Sequence, residues 1–135
     1  MVEKPGKDEF PLVLEKTFGL LKERASKEKL AEFSEDIEIL CFEFPDVDKK
    51  IFLEISDDGD MTVGTEEPGK VDCTVSMNSD IAHSILTGEK SQTAVYMTGK
   101  LKIKGISPLK FQKLYPKLGP LDECYEEAVS EVRGD

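Results

Sequence analysis

The chain has 135 residues, with 28 Asp and Glu against 18 Lys and Arg, a formal net charge of −10, three cysteines and one histidine. That length suits a single domain, residues 1–135, able to bury a core without disulfides or a structural metal, and the acidic balance argues against nucleic acid, whose phosphates need a basic surface. The opening MVEKPGKDEF holds no apolar stretch and no run of about 18 apolar residues occurs, so nothing signals secretion or membrane spanning.

In chain order, Pro11 stands near the start of a segment in which Leu14, Phe18, Leu21 and Ala25 recur at helical spacing, and a weaker helical piece with Leu30 and Phe33 follows. This helix is expected to pack on a sheet. Two strands, Ile37 to Phe44 and Lys50 to Ile55, are joined through Pro45-Asp46-Val47-Asp48, and the Asp57-Asp58-Gly59-Asp60 turn leads to a short third strand, Met61 to Gly64. In Val71 to Met77 the apolar set Val71, Cys73, Val75 and Met77 alternates with polar residues, the period of a strand with one buried face. Asn78 or Ser79 then caps a helix with Asp80 in its first turn and Ile81, Ile85 and Leu86 as its apolar stripe, stopped by Gly88. A second apolar piece, Ala94 to Met97, precedes Gly99-Lys100-Leu101-Lys102-Ile103-Lys104-Gly105, a strand with Leu101 and Ile103 on one face and lysines on the other. Leu109, Leu114 and Leu118 recur along a lysine-rich helix that Pro116 ends or kinks, and an acidic helix runs roughly from Leu121 to Val132.

A strand, a helix ending in a Thr-Gly-Glu-Lys turn, a short apolar helix and then Gly-Lys-Leu-x-Ile-x-Gly resembles the sterol-binding domain of the type-two sterol carrier protein family. The likeness covers most of the chain in element order and is motif-like from about Asp72 to Leu118, while Pro108, Pro116 and the acidic helix after Gly119 depart from the pattern. It implies a mixed α/β fold of α+β type. In such a fold a five-stranded, mostly antiparallel sheet runs in the order helix, three strands, crossover strand, helices, strand, helices, with the helices on one face enclosing an apolar tunnel. It implies binding and transfer of fatty acid, acyl-CoA, sterol or a similar lipid, with no catalytic residues and no cofactor. It turns Phe18, Leu21, Ile81, Ile85, Leu86, Val95, Met97, Leu109, Leu114 and Leu118 into expected tunnel lining; without it they read as core. Residues from about 106 to 135 are then a C-terminal helical extension.

Other chemistry finds little footing. Gly64-Thr-Glu-Glu-Pro-Gly69-Lys70-Val71 has the spacing of a phosphate loop but lacks the closing Ser or Thr, carries two glutamates and leads into a strand, so it reads as a polar turn. Asp57, Asp58 and Asp60 lack the remaining ligands of a calcium loop. His83 has no partner suited to zinc or a triad, and Ser79, Ser84, Ser91 and Ser107 have no nucleophile-elbow context. Cys41, Cys73 and Cys124 show no C-x-x-C spacing and read as reduced buried thiols of a cytoplasmic protein, and the terminal Val-Arg-Gly-Asp is not a peroxisomal address.

Two surface features carry expectations of their own. With Pro45 to Lys49 as the turn, Phe42 is expected across from Phe52 on the face opposite Cys41, Leu53 and Ile55, with Leu40 and Phe44 beside it. That face is a satellite cluster under a terminal segment, a homodimer or partner surface, or a register in which some of these side chains meet the cavity. Lys110 and Lys113 belong to a local basic region with Lys100, Lys102, Lys104 and Lys117, read either as a solvated face or edge-strand protection, or as a set some of which steer the chain to anionic lipid head groups of a membrane or to CoA phosphates. Three function classes follow: a non-catalytic lipid carrier, an accessory protein sheltering a hydrophobic biosynthetic intermediate, such as an isoprenoid quinone precursor, for partner enzymes, or, least favoured, an enzyme using the cavity.

Overall fold

A computed structural model describes residues 4–134; the first three residues of the N-terminal stretch and the last residue of the C-terminal tetrapeptide lie outside the described residues. The helices are α1 (Phe10–Arg24), α2 (Lys27–Ser34), α3 (Ser79–Leu86), α4 (Gln92–Met97), α5 (Pro108–Leu114) and α6 (Leu121–Arg133). The strands are β1 (Ile39–Phe44), β2 (Lys49–Ile55), β3 (Met61–Gly64), β4 (Cys73–Ser76) and β5 (Lys102–Lys104). Among the described residues no helix is long and apolar enough to cross a membrane.

The sheet order is β3-β2-β1-β4-β5, with only the β1–β4 pair parallel. This is the expected α+β, mostly antiparallel arrangement. A parallel neighbour cannot be joined by a tight turn, so β3 and the long loop after Gly64 carry the chain across to β4. On α1, Phe10, Val13, Leu14, Thr17, Phe18 and Leu21 are buried at a spacing of three and four, and on α6 Leu121, Cys124, Tyr125, Ala128 and Val129 repeat the pattern. The two helices pack on each other, with the Lys16–Glu131 pair at 3.1 Å and the Arg24–Glu127 pair at 2.6 Å joining them. Gly59 (φ 85°) lets the β2–β3 turn come against the backbone of Lys27, where a Cβ would fall 2.0 Å from the Lys27 carbonyl oxygen.

The expected β1–β2 register is corrected. Phe42 pairs with Ile51, and Phe52 pairs with Cys41. The reason is the turn: Pro45–Val47 forms a single 3₁₀ turn, Asp48 takes the left-handed conformation (φ 50°), and β2 begins at Lys49 directly opposite Phe44. A shift of one residue exchanges the faces of a strand. Leu40, Phe42 and Phe44 therefore share the inner face with Ile51 and Leu53 and meet α1, with Phe10 against Phe44 at 5.3 Å and Phe18 against Phe42 at 5.5 Å between ring centroids. Phe52 and Cys41 lie on the outer face, both buried. All four residues of the expected dimer patch are thus buried within the chain, which removes the exposed surface that reading required.

Candidate functional site

The inner face of the sheet and the helices over it enclose an apolar seam. Leu14, Thr17 and Phe18 of α1 form one wall; Phe42, Phe44 and Val75 of the sheet form the floor; Ala82, Ile85 and Leu86 of α3 face them. Met77, Gln92, Leu101, Phe111 of α5, Tyr115 and Leu121 of α6 complete it. Its polar atoms are few. The Thr17 hydroxyl is engaged by donating to the Val13 carbonyl at 2.6 Å, which leaves Gln92 and Tyr115 as the other lining residues with polar side-chain atoms. Tyr115 Oη lies 3.5 Å from Asp122 Oδ1, and burial raises both groups above their ordinary pKa values.

The expected tunnel is present as a seam and not as an open bore, because its free space is about 30 Å³. That holds about one water molecule, whereas small-molecule sites run to about 300–1,000 Å³. Beside it, α4, β5 and the start of α5 form an open groove of about 310 Å³ lined by Tyr96, Ile103, Pro108 and Leu109. Gln92 and Leu101 line both spaces, so the groove reaches the seam across them.

Of the expected lining, the structure brings Phe18, Ile85 and Leu86 together on the seam. Leu21, Ile81, Val95, Leu114 and Leu118 are buried in the surrounding core without lining it. Met97 and Leu109 are corrected to the surface, at 80% and 73% exposure: α4 has only six residues and buries Val95 alone, and Leu109 sits one residue after the proline that starts α5, on its outward side. The floor residues Phe42, Phe44 and Val75, and Phe111, went unassigned by helical spacing. The alternation Leu40, Phe42, Phe44 was the signal for the first two, once the turn register is known.

The remaining candidates settle into structural positions. His83 is buried and its Nδ1 lies 2.7 Å from the hydroxyl of fully buried Tyr125. Ser79 donates through its backbone N–H (2.9 Å) and its hydroxyl (2.6 Å) to the Asp46 carboxylate, Ser84 donates to the Asp80 carbonyl, and Ser91 and Ser107 accept from Ala94 and Lys110 N–H as helix caps. The three cysteines are free and buried, and burial pushes the Cys41 thiol up to about 11 and the Cys73 thiol up to about 12. Asp60 pairs with Lys27 at 2.7 Å, and the described residues hold no cluster of three or more His, Cys, Asp or Glu fit for a metal. Lys110 is held by Asp36 at 2.8 Å and Lys117 by Glu32 at 3.4 Å, while Lys113 makes no ion pair among the described residues.

Against solved structures, the fold is similar to part of a sec-alkylsulfatase from Pseudomonas sp. (21% identity, TM-score 0.59), covering 75% of this chain and 16% of that one. It is also similar to a ubiquinone synthesis protein, UbiJ-SCP2 (22% identity, TM-score 0.54, 87% of this chain and 96% of that one). The apo form of sterol carrier protein 2 from Yarrowia lipolytica is comparable (19% identity, TM-score 0.51, covering 87% and 88%). In sequence, a fatty acid-binding protein of Yarrowia lipolytica is 33% identical over 55 residues, which span 40% of this chain and 43% of that relative. Residues 14–115 match the SCP-2 sterol transfer family, and the chain belongs to that family.

Proposed function

We propose that this chain binds an apolar lipid in the seam between α1, α3 and the sheet and moves it without a covalent step. The observation that carries the reading is the wall itself: aliphatic and aromatic side chains from α1, the sheet floor of β1 and β4, and α3, with so few polar atoms that an acyl, isoprenoid or sterol body is the ligand such a wall favours. Each CH₂ taken from water contributes about 0.8 kcal/mol, so a long chain binds with little help from hydrogen bonds. The relatives' names, fatty acid-binding protein and sterol carrier protein, support the same class.

In this reading the seam opens to admit its ligand. The weakest wall is the α4–α5 side, where α4 buries only Val95 and an exposed Gln112–Thr93 hydrogen bond of 2.9 Å ties the two helices. The buried, reduced cysteines support a cytoplasmic setting. Of the two lysines expected at head groups, Lys113 is the one left without a carboxylate partner among the described residues. The fold shared with a ubiquinone synthesis protein supports a second reading, in which the sheltered lipid is an isoprenoid quinone precursor handed to partner enzymes.

Native mass spectrometry of gently purified protein, followed by solvent extraction, tests this. A stoichiometric adduct that resolves to an acyl, sterol or isoprenoid species is expected. A clean apo mass together with failure to take up fluorescent fatty acid would overturn the reading.

A further inference from the structure

The charge of this chain is segregated. Between Lys90 and Leu118 there are seven lysines and no Asp or Glu, so the rest of the chain holds eleven basic residues and all 28 acidic ones. This segment is α4, β5 and α5 with their connections, and it contains three of the four large exposed apolar side chains among the described residues: Tyr96, Met97 and Leu109. Tyr96 and Leu109 rim the same groove, and Met97 is the most exposed of the three. Leu109 and Lys113 stand one helical turn apart on α5, and Lys100 follows Met97 across the Gly99 turn, so the two most exposed of these apolar side chains each have a lysine close by in the chain. Among the described residues Lys90, Lys100 and Lys113 make no ion pair, in contrast to Lys110 and Lys117, which are spent on α2 and its exit.

We propose that the α4–α5 edge docks on an anionic lipid bilayer, with Met97, Leu109 and Tyr96 entering the head-group region and Lys100 and Lys113 on the phosphates. Charge complementarity selects this occupant. An anionic surface attracts the lysine segment and repels the acidic remainder, so it fixes the orientation of the whole molecule, and exposed apolar side chains ringed by cations are what the boundary between head groups and acyl chains accepts. Docked this way, the groove opens toward the bilayer and its shared walls, Gln92 and Leu101, lead to the seam, so a lipid passes between the two without crossing water. That route rests on the carrier reading above; the docking itself does not.

The test is co-sedimentation of the full chain with phosphatidylcholine vesicles and with vesicles containing phosphatidylglycerol, at low and high salt. Binding only to the anionic vesicles, weakened by salt, is expected. Lys100→Gln and Lys113→Gln should each weaken it roughly fivefold, Met97→Ser with Leu109→Ser should weaken it with the charge intact, and Lys22→Gln on α1 should leave it unchanged. All these side chains are exposed, and circular dichroism confirms that the variants fold. No binding to either vesicle, equal binding to both, or indifference to the α4–α5 changes would overturn the proposal. The first of these includes the case in which the face serves an acidic protein. Uptake of fluorescent fatty acid from vesicle-free solution reads the seam alone, so failure of docking and failure of the carrier reading give different results.

Discussion

Phe18→Ala probes the closed state of the seam. Phe18 is 2% exposed, its ring lies 5.5 Å from that of Phe42, and both rings line a space of about 30 Å³. Truncation leaves a void there, and buried Phe→Ala changes cost about 3–5 kcal/mol. For a chain of 135 residues each kcal/mol moves the melting temperature by about 3–4 °C, so the unliganded variant should melt about 10–18 °C lower. Bound lipid changes the comparison. The wild type must open space at about 24 cal/mol per Å³, whereas the variant has about 100 Å³ of it already, a difference of roughly 2–3 kcal/mol in favour of binding. The variant should therefore bind a long-chain fatty acid one to two orders of magnitude more tightly and gain correspondingly more melting temperature at the same ligand concentration. Scanning fluorimetry with and without fatty acid, and displacement of a fluorescent analogue, measure both quantities. An equal or smaller gain in the variant would refute the placement of the ligand in the seam.

Two further outcomes concern what holds the walls. Tyr125→Phe keeps the ring but leaves buried His83 Nδ1 without its 2.7 Å partner, which should cost about 1–3 kcal/mol and prove less than additive with His83→Phe in a double-mutant cycle of thermal melts. Full additivity would mean that the two side chains act independently. Partial burial works to raise the Asp72 carboxyl, but hydrogen bonds from the Ile39 and Glu38 N–H groups and the neighbouring Lys70 prevail and hold it below its ordinary value. A folded-state pKa below the unfolded one stabilises above the unfolded value, near about 3.9, and that stability is lost as pH falls through the folded value. Urea titrations of wild type and Asp72→Asn should accordingly differ at neutral pH and converge in strong acid; a gap that persists unchanged there would refute the assignment.

Local pattern carried the element order far. Alternation located β4, helical spacing located α1, and the glycine-bounded lysine strand located β5. What failed were the places where one residue of phase matters. The 3₁₀ turn at Pro45–Val47 set a register that moved Phe42 to the inner face and Phe52 to the outer one. The start of α3 went to Asp46, 33 positions away, in place of a side-chain cap from Asn78. A cap supplied from another segment leaves no mark in the helix it caps.

The candidate site divides along the same line. Apolar periodicity on α1 and α3 is a property of neighbouring residues, so Phe18, Ile85 and Leu86 were available from sequence. Met97 and Leu109 carry the same chemistry, yet a six-residue helix and a proline-started one turn them outward, and no count of apolar residues distinguishes a side chain facing the seam from one facing solvent. The sequence by itself determined that this chain is acidic and built in the element order of its family, with a run of lysines in one segment. Only the tertiary structure decided that the seam is nearly closed and that the basic segment is also where apolar side chains meet solvent, because volume and exposure depend on how distant segments pack.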